Sequence, residues 1–562
     1  MPILSLLPQR TDYSLRHFRS DFLAGLTVAI VALPLALGFG VTSGAGAASG
    51  VITAIVAGIV AAIFGGSNFQ VSGPTGAMTV VLLPVVARYG VAALGLVGIM
   101  AGMVLLVMAA ARVGRYVQYI PWPVIAGFTN GIAVIIFLQQ LPGALGVEKG
   151  TGSSVLIVTG RTLSKFVESP QAPAIIVALV TVAVMWSWLR VPRLRVVPAS
   201  LVALLVGTAV SLVPYFDNVE RLSGVPRGLP MPQLPSISID QFTDLFRAAL
   251  AVAVLAALES LLSAVVADGM TIEERHDPDR ELFGQGLANI ASSLFGGMPA
   301  TGALARTAVN VRSGARTRLA AVLHGVLIMV IVLFLAPLAS SIPLAVLAGI
   351  LMVVAVRMAE SEAVRIIFRS TKSDAFVLVL TMVVTVVFDL ILAIEVGMVA
   401  AGILFIIRMS NLLSIDSEPL GTELGVRHDT ETEIAEEEHL LHESVIAYRI
   451  DGPVFFGAAN RFFDQLLKVG PSAKVVILRM RTVPVMDATG LGALESLVER
   501  LANRHILVFV SGLQPQPLDL LTRTGVLDKI SRDRHHVFAT TEEAIIHARS
   551  HAGSDDHTSP TR

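Results

Sequence analysis

The stretch Leu294–Thr307 reads LFGGMPATGALART, with three glycines, a proline and an arginine set between two apolar runs. An earlier stretch, Ile63–Thr79, reads IFGGSNFQVSGPTGAMT and carries the same FGG and TGA with a proline between them, its gap five residues longer. Such sequences favour irregular backbone, which at membrane depth survives only where protein or a water-filled cavity satisfies its polar groups. The surroundings are those of a membrane protein. The 562 residues are 54% apolar and 15% charged. From Asp21 to Arg408 apolar runs near the ~20 residues needed to cross a bilayer follow one another, separated by short charged loops. They fall at 21–40, 49–66, 72–88, 92–112, 120–141, 172–189, 196–214, 245–268, 284–297, 303–311, 316–336, 342–356, 374–390 and 391–408. Several of these fourteen spans are too short to cross alone.

Two irregular elements, one in each half of a polytopic chain, point to internal repeats with a site at their interface, where half-helices aim N-terminal N–H groups at an anion. The segments Thr75-Gly76-Ala77-Met78 and Thr301-Gly302-Ala303-Leu304 are each expected to open a half-helix, with Pro74 and Pro299 at or just before the first turn. From Thr75 to Thr301 the chain runs 226 residues (301 − 75), room for seven spans per repeat. Seven is odd, so the second repeat is expected to be inverted relative to the first. The alternative is that FGG and TGA are small-residue packing motifs between helices.

Only the second copy holds a charge. An arginine in hydrocarbon costs about 2.5–3.5 kcal/mol even on the lenient insertion scale. Arg306 is therefore expected to face a cavity and supply positive potential, or else to snorkel or pair with Glu259. Glu259 is the lone carboxylate in AVAVLAALESLLSAVVAD and has Ser263 one turn on along the same face. A carboxylate within the membrane is a candidate proton relay.

Arginines before the first span (Arg10, Arg16, Arg19) and after even-numbered ones (Arg112, Arg115; Arg190, Arg193, Arg195; Arg312, Arg316, Arg318; Arg365, Arg369) put both termini in the cytoplasm. The first apolar run lacks a cleavage site and is read as a span rather than a signal peptide. The organisation is then a cytoplasmic N-terminus (1–20), a transmembrane domain (21–411), an acidic linker (412–443), a soluble α/β domain (444–549) and a disordered tail (550–562). In the α/β domain VIAYRIDGPVFFG, KVVILRM and ILVFVSG read as strands, FFDQLLKV and LGALESLVERLANR as helices. A net charge of −1 gives no reason to expect nucleic acid, and the absence of cysteine excludes disulfides and thiolate metal sites. No catalytic pair, metal-ligand cluster or phosphate loop is present, so neither enzyme activity, a cofactor nor a metal is expected.

With these residues in view the chain resembles the sulfate permease (SulP) family of anion transporters. The resemblance rests on DFLAGLTVAIVALPLALGFGVTSG, SGPTGAM, LFGGMPATGALARTAVNVRSGARTRLA, SIPLAVLAGILM and VMDATGLGALESL. It implies fourteen helical spans in two inverted seven-span repeats, forming core and gate domains, with a cytoplasmic STAS domain. It places an anion site on Ser72, Thr75, Gly76 and Ala77 of one half-helix and Thr301, Gly302, Ala303 and Arg306 of the other. It also implies an elevator-type motion of the core against the gate, a homodimer, and a bacterial plasma-membrane location. Thr489, in DATG, matches the phosphorylatable hydroxyl of STAS loops, although Asp487 or Thr489 also suits an ordinary helix cap.

The nearest look is to sodium-dependent bicarbonate transporters, yet Glu259 stands where those have Asp and Leu304 offers no oxygen to a hard cation. Protons are thus expected to be the coupling ion ahead of sodium, and the substrate a small anion such as sulfate, bicarbonate or a fumarate-like dicarboxylate. The alternatives are a sodium-dependent bicarbonate transporter, an uncoupled channel or exchanger, and a nucleobase symporter, against which the STAS signature counts.

Overall fold

The computed structural model describes residues 15–152, 154–191, 197–224, 228–235, 242–271, 275–388, 390–410, 414–418, 444–456, 473–530 and 536–552. Its helices follow the apolar runs. The first repeat comprises α1 (Leu15–Thr42), α2 (Ala47–Phe64), strand β1 (Ser72–Gly73), α3 (Gly76–Tyr89), α4 (Ala93–Ala110), α5 (Trp122–Gln139), α6 (Leu141–Leu145), α7 (Val155–Glu168), α8 (Ala172–Arg190) and α9 (Ala199–Val210). The second comprises α10 (Phe242–Met270), α11 (Pro278–Leu294), strand β2 (Thr301–Gly302), α12 (Leu304–Arg312), α13 (Leu319–Ala339), α14 (Leu344–Met358), α15 (Ser361–Ser370), α16 (Lys372–Val387) and α17 (Leu390–Ser410). Each repeat thus has seven spans, α1–α5 with α8 and α9, then α10–α14 with α16 and α17.

Three helices lie outside the fourteen apolar runs. Between the fifth and sixth runs come α6 and the amphipathic α7, where Ser154 caps by accepting from Ile157 N at 3.4 Å. The third, α15, places Arg365 and Arg369 beside buried Ala363 and Ile367, the pattern of a helix lying at a boundary rather than crossing it.

Close helix approach accounts for several glycines. A Cβ on Gly102 of α4 would lie 2.6 Å from the Gly286 carbonyl of α11, and one on Gly50 of α2 would lie 2.0 Å from the Ala36 carbonyl of α1. Without a hydrophobic driving force between spans, this backbone proximity is what holds them. Two large apolar clusters result, one built on α1, α2, α8, α9, α13 and α14, the other on α3, α4, α5 and α10.

The C-terminal unit holds a five-stranded sheet in sequential order, of β3 (Ser414–Glu418), β4 (Val445–Asp451), β5 (Val475–Thr482), β6 (Leu507–Ser511) and β7 (Val537–Phe538). Strand β3 runs antiparallel to β4 and the rest are parallel. The period of two sends Val476, Leu478 and Met480 to a face packed with Leu494, Leu497 and Leu501 of α18 (Ala488–Ala502). The helices α19 (Pro515–Arg523) and α20 (Val526–Ile530) add Leu521, Val526 and Ile530 to that side. Val475 and Ile477 meet Ala544, Ile545 and Ala548 of α21 (Thr541–Ala552) on the other.

The sheet corrects one boundary. Residues 414–418, assigned by composition to the acidic linker, form its edge strand, because five consecutive backbone positions pair with β4. The rest of that linker, the helix expected at FFDQLLKV and residues 553–562 of the tail lie outside the described residues; α21 carries the chain to Ala552.

Candidate functional site

The two irregular elements meet. Strands β1 and β2 pair antiparallel, Ser72 opposite Gly302 and Gly73 opposite Thr301, and Ala303 N extends the ladder to the Val71 carbonyl at 2.9 Å. The pairing joins the two repeats backbone to backbone and sets the N-termini of α3 and α12 side by side. It also shifts one expectation. Thr301 and Gly302 were to open the second half-helix, but both are extended strand residues and α12 begins at Leu304 with Ala303 as its cap. The strand wins because Ala300 is held on both sides by Asn289, N to Oδ1 and O to Nδ2, each at 2.9 Å.

Thr75 is the cap of α3. Its hydroxyl accepts from Met78 N at 3.4 Å and donates to Glu259 Oε2 at 2.9 Å, so a single oxygen ties the half-helix to the carboxylate on α10. Arg306, the third residue of α12 and still in its first turn, donates through Nη2 to the Pro74 carbonyl, immediately before that cap. It is only 2% exposed, and its Nη1 is buried without a hydrogen-bond partner among the described residues. There is no space in front of it for a side chain: a Cβ on Gly73, whose φ is +157°, would lie 2.6 Å from Nη1. Among the described residues no ion pair joins Arg306 to Glu259, so the cation acts on the first turn of α3 and not as half of a closed pair. Leu304 is 40% exposed and Ala305 is exposed, in contrast to buried Ala303, so the first turn of α12 is where the site opens.

Other candidates are brought close but face elsewhere. Ser72 is buried and accepts from Gln285 Nε2 at 2.6 Å. Thr301 is bonded to Ser260 Oγ at 2.9 Å and the Ala256 carbonyl at 3.2 Å. Ser263, expected to serve Glu259, instead donates to Thr307 Oγ1 at 3.0 Å, which in turn accepts from Val71 N at 3.1 Å. What is left to face a ligand is backbone: the first-turn N–H groups around Gly76, Ala77 and Leu304, with positive dipole ends and Arg306 behind them.

The helix that holds this arrangement was missed in the sequence. On α11, Glu281, Gln285 and Asn289 repeat at four-residue spacing and form one buried face. Glu281 Oε2 accepts from Gly66 N at 2.9 Å and Ser67 N at 3.1 Å, and Oε1 accepts from Gln70 Nε2 at 2.7 Å and Gln285 Nε2 at 2.9 Å. This carboxylate therefore fixes the five extra residues of the first copy, while Asn289 fixes the second copy. The available signal was the polar stripe itself, unusual in a chain so apolar. In the C-terminal unit Asp487 is the cap of α18, accepting from Gly490 N at 2.8 Å and Phe456 N at 3.1 Å, and Thr489 is exposed in the first turn.

The half-helices that start at this central strand crossing, in a membrane unit followed in the chain by a mostly parallel sheet, belong to an anion-transporting membrane protein. The sulfate permease family model matches residues 18–381 and the STAS domain model residues 439–544, and the chain belongs to the sulfate permease family. It is 37% identical to the "Putative sulfate transporter YvdB" of Bacillus subtilis over 93% of this chain and 97% of that protein. It is 33% identical to the bicarbonate transporter BicA of Picosynechococcus over 95% of each. The solved transmembrane domain of a cyanobacterial BicA superposes with a TM-score of 0.61 at 34% identity, covering 69% of this chain and 98% of that one. SLC26A9 matches at a TM-score of 0.82 and 16% identity over 98% of this chain and 93% of that one, a likeness of fold.

Proposed function

We propose that this anion transporter works as a secondary active symporter, coupling uptake of a small inorganic anion or a dicarboxylate to protons. The observation that carries the reading is the Thr75 hydroxyl, which caps the half-helix α3 and donates to Glu259. Occupancy of the half-helix ends and the protonation state of Glu259 then share one atom. A protonated Glu259 donates instead of accepting, and an anion bound beside Arg306 partly offsets the cation, so the loaded site crosses with less net charge. The motion is elevator-like, α1–α4 and α10–α13 moving as a core against α5, α8, α9, α14, α16 and α17. The face bearing Arg112, Arg190, Arg312 and Arg369 is cytoplasmic, as are both termini, and the membrane is the bacterial plasma membrane. The protein acts as a homodimer held partly by its STAS domains, with Thr489 available to a kinase.

Sodium-dependent bicarbonate uptake is the second reading, favoured by the identity to BicA. The exposed apolar Leu304 that opens α12 counts against it, since sodium needs several oxygen ligands and this side chain offers none. Uptake of labelled sulfate, bicarbonate and fumarate into proteoliposomes under imposed proton or sodium gradients decides between them. Accumulation driven by protons without sodium is expected. Glu259→Gln should retain exchange and lose proton-driven accumulation. Sodium-driven uptake indifferent to pH, or current with no coupling to either gradient, refutes the proposal.

A further inference from the structure

The last turns of α5 reach the first turn of α3 from outside the bundle that carries the crossing strands. A Cβ placed on Gly76, the first residue of α3, would lie 2.1 Å from Ile136 Cδ1. Ile136 therefore covers the end of the half-helix, and glycine at position 76 is what lets it approach. One turn along α3, Thr79 donates to the Gly76 carbonyl at 2.6 Å and lies 3.4 Å from the Gln139 amide. The hydroxyl has one proton, and it is already directed at Gly76. Turned with Nε2 toward Thr79, the Gln139 amide donates to a free lone pair of that hydroxyl; in the opposite sense Nε2 is buried without a partner among the described residues. The next residue, Gln140, donates from Nε2 to Thr42 Oγ1 on the last turn of α1 at 3.4 Å, while Thr42 donates to the Gly38 carbonyl at 2.8 Å.

Two consecutive glutamines thus clip α5 to both helices that end beside it. On the far side of this contact lies a cavity of about 370 Å³ whose lining includes Thr42, Leu83, Gln139, Gln140, Lys149 and Glu220. It sits at the C-terminal ends of α1 and α5 and beside the middle of α3, on the side remote from the basic loops, the outer side in the orientation proposed above.

We infer that Ile136, Gln139 and Gln140 form the outer gate of the transport path, Ile136 as the plug and the glutamine pair as its latch. This rests on the reading that an anion occupies the N-termini of α3 and α12. The latch bonds are long for hydrogen bonds, as suits contacts broken once per cycle. The latch joins the half-helix itself to its cover: displacing the Gly76 turn pulls on Thr79, and through it on Gln139. An anion drawing in the first-turn N–H groups therefore acts on the gate with no separate sensor.

The chain contains no cysteine, so one introduced thiol is the only thiol present. Ala77→Cys, at a position 1% exposed beneath the plug, reports on the site, and Leu83→Cys, on the cavity wall, is the reference. Both are made in the full chain and challenged in intact cells with a membrane-impermeant thiol reagent. Leu83→Cys should label in every background. Ala77→Cys should label slowly, and at least tenfold faster when combined with Gln139→Leu and Gln140→Leu. Ile136→Ala alone should give a smaller increase and serves where the double change impairs folding, as judged by gel filtration. Labelling of Ala77→Cys within twofold of the parent in both opened backgrounds, with the Leu83 reference fully labelled, overturns the gate. Sulfate, bicarbonate or fumarate should slow labelling in the opened chain. If labelling accelerates but none of these protects, the anion-site reading fails and the gate stands.

Discussion

Replacing Glu281 with alanine removes the acceptor of four hydrogen bonds at once, from Gly66 N, Ser67 N, Gln70 Nε2 and Gln285 Nε2, at a position 1% exposed. A single buried donor left unpaired costs about 1–3 kcal/mol. The four cannot all be charged in full, because the loop 66–70 relaxes. A total of about 3–5 kcal/mol, the range for removing one partner from a buried charged network, is the expected loss. Glutamine keeps one carbonyl for the two backbone donors but opposes its own amide to those of Gln70 and Gln285. Those two amides can turn over to present oxygen, which strands their nitrogens, so Glu281→Gln should cost about 1–3 kcal/mol. The assay is apparent Tm of the full chain in detergent by tryptophan fluorescence, with gel filtration as the check on folding. Wild type should exceed Glu281→Gln, which should exceed Glu281→Ala, the last by several degrees. Equal melting of all three, or glutamine no better than alanine, would refute the claim that this carboxylate holds the first crossing loop.

Arg306→Ala should abolish or strongly weaken anion binding, measured by ligand-dependent Tm shift, while the protein still elutes as a folded species; unchanged affinity in such a protein rules the role out. A chain ending after Ser410, before the first sheet strand, should still bind anion if it folds, since both half-helices lie upstream. Loss of binding in a monodisperse truncated protein would contradict this.

The spans and the site were legible to different degrees for physical reasons. Apolar length marks a span regardless of partners, so the fourteen runs are recoverable, and an arginine in a span is conspicuous by its cost. Strands of two residues have no period to read, and the pairing of Ser72 with Gly302 depends on residues far apart in sequence. The TGA repeat therefore suggested an equivalence that tertiary bonding overrides: in the first copy it caps a helix, in the second it is strand. Glu281 was overlooked because the ninth span was taken to begin at 284, after the carboxylate. Similarly, Ser263 shares a helix face with Glu259, but spacing along one helix could not reveal that Thr307 from another would claim it.

The crossing of β1 and β2 also bears on how the chain is made. Arg306 and the Pro74 carbonyl it reaches are 232 residues apart. At a synthesis rate of roughly 5–20 residues per second, the first half-helix waits on the order of ten seconds to most of a minute for its partner strand. During that interval the strand edge of Ser72 and Gly73 has no ladder to join and lies at a depth where lipid offers no donors or acceptors. The nascent first half must therefore be sheltered by water, by the insertion machinery or by its own α2, whose Gly58 allows close approach to the Ser72 carbonyl. Slowing translation between the two repeats should then lower membrane yield more than slowing it after α13.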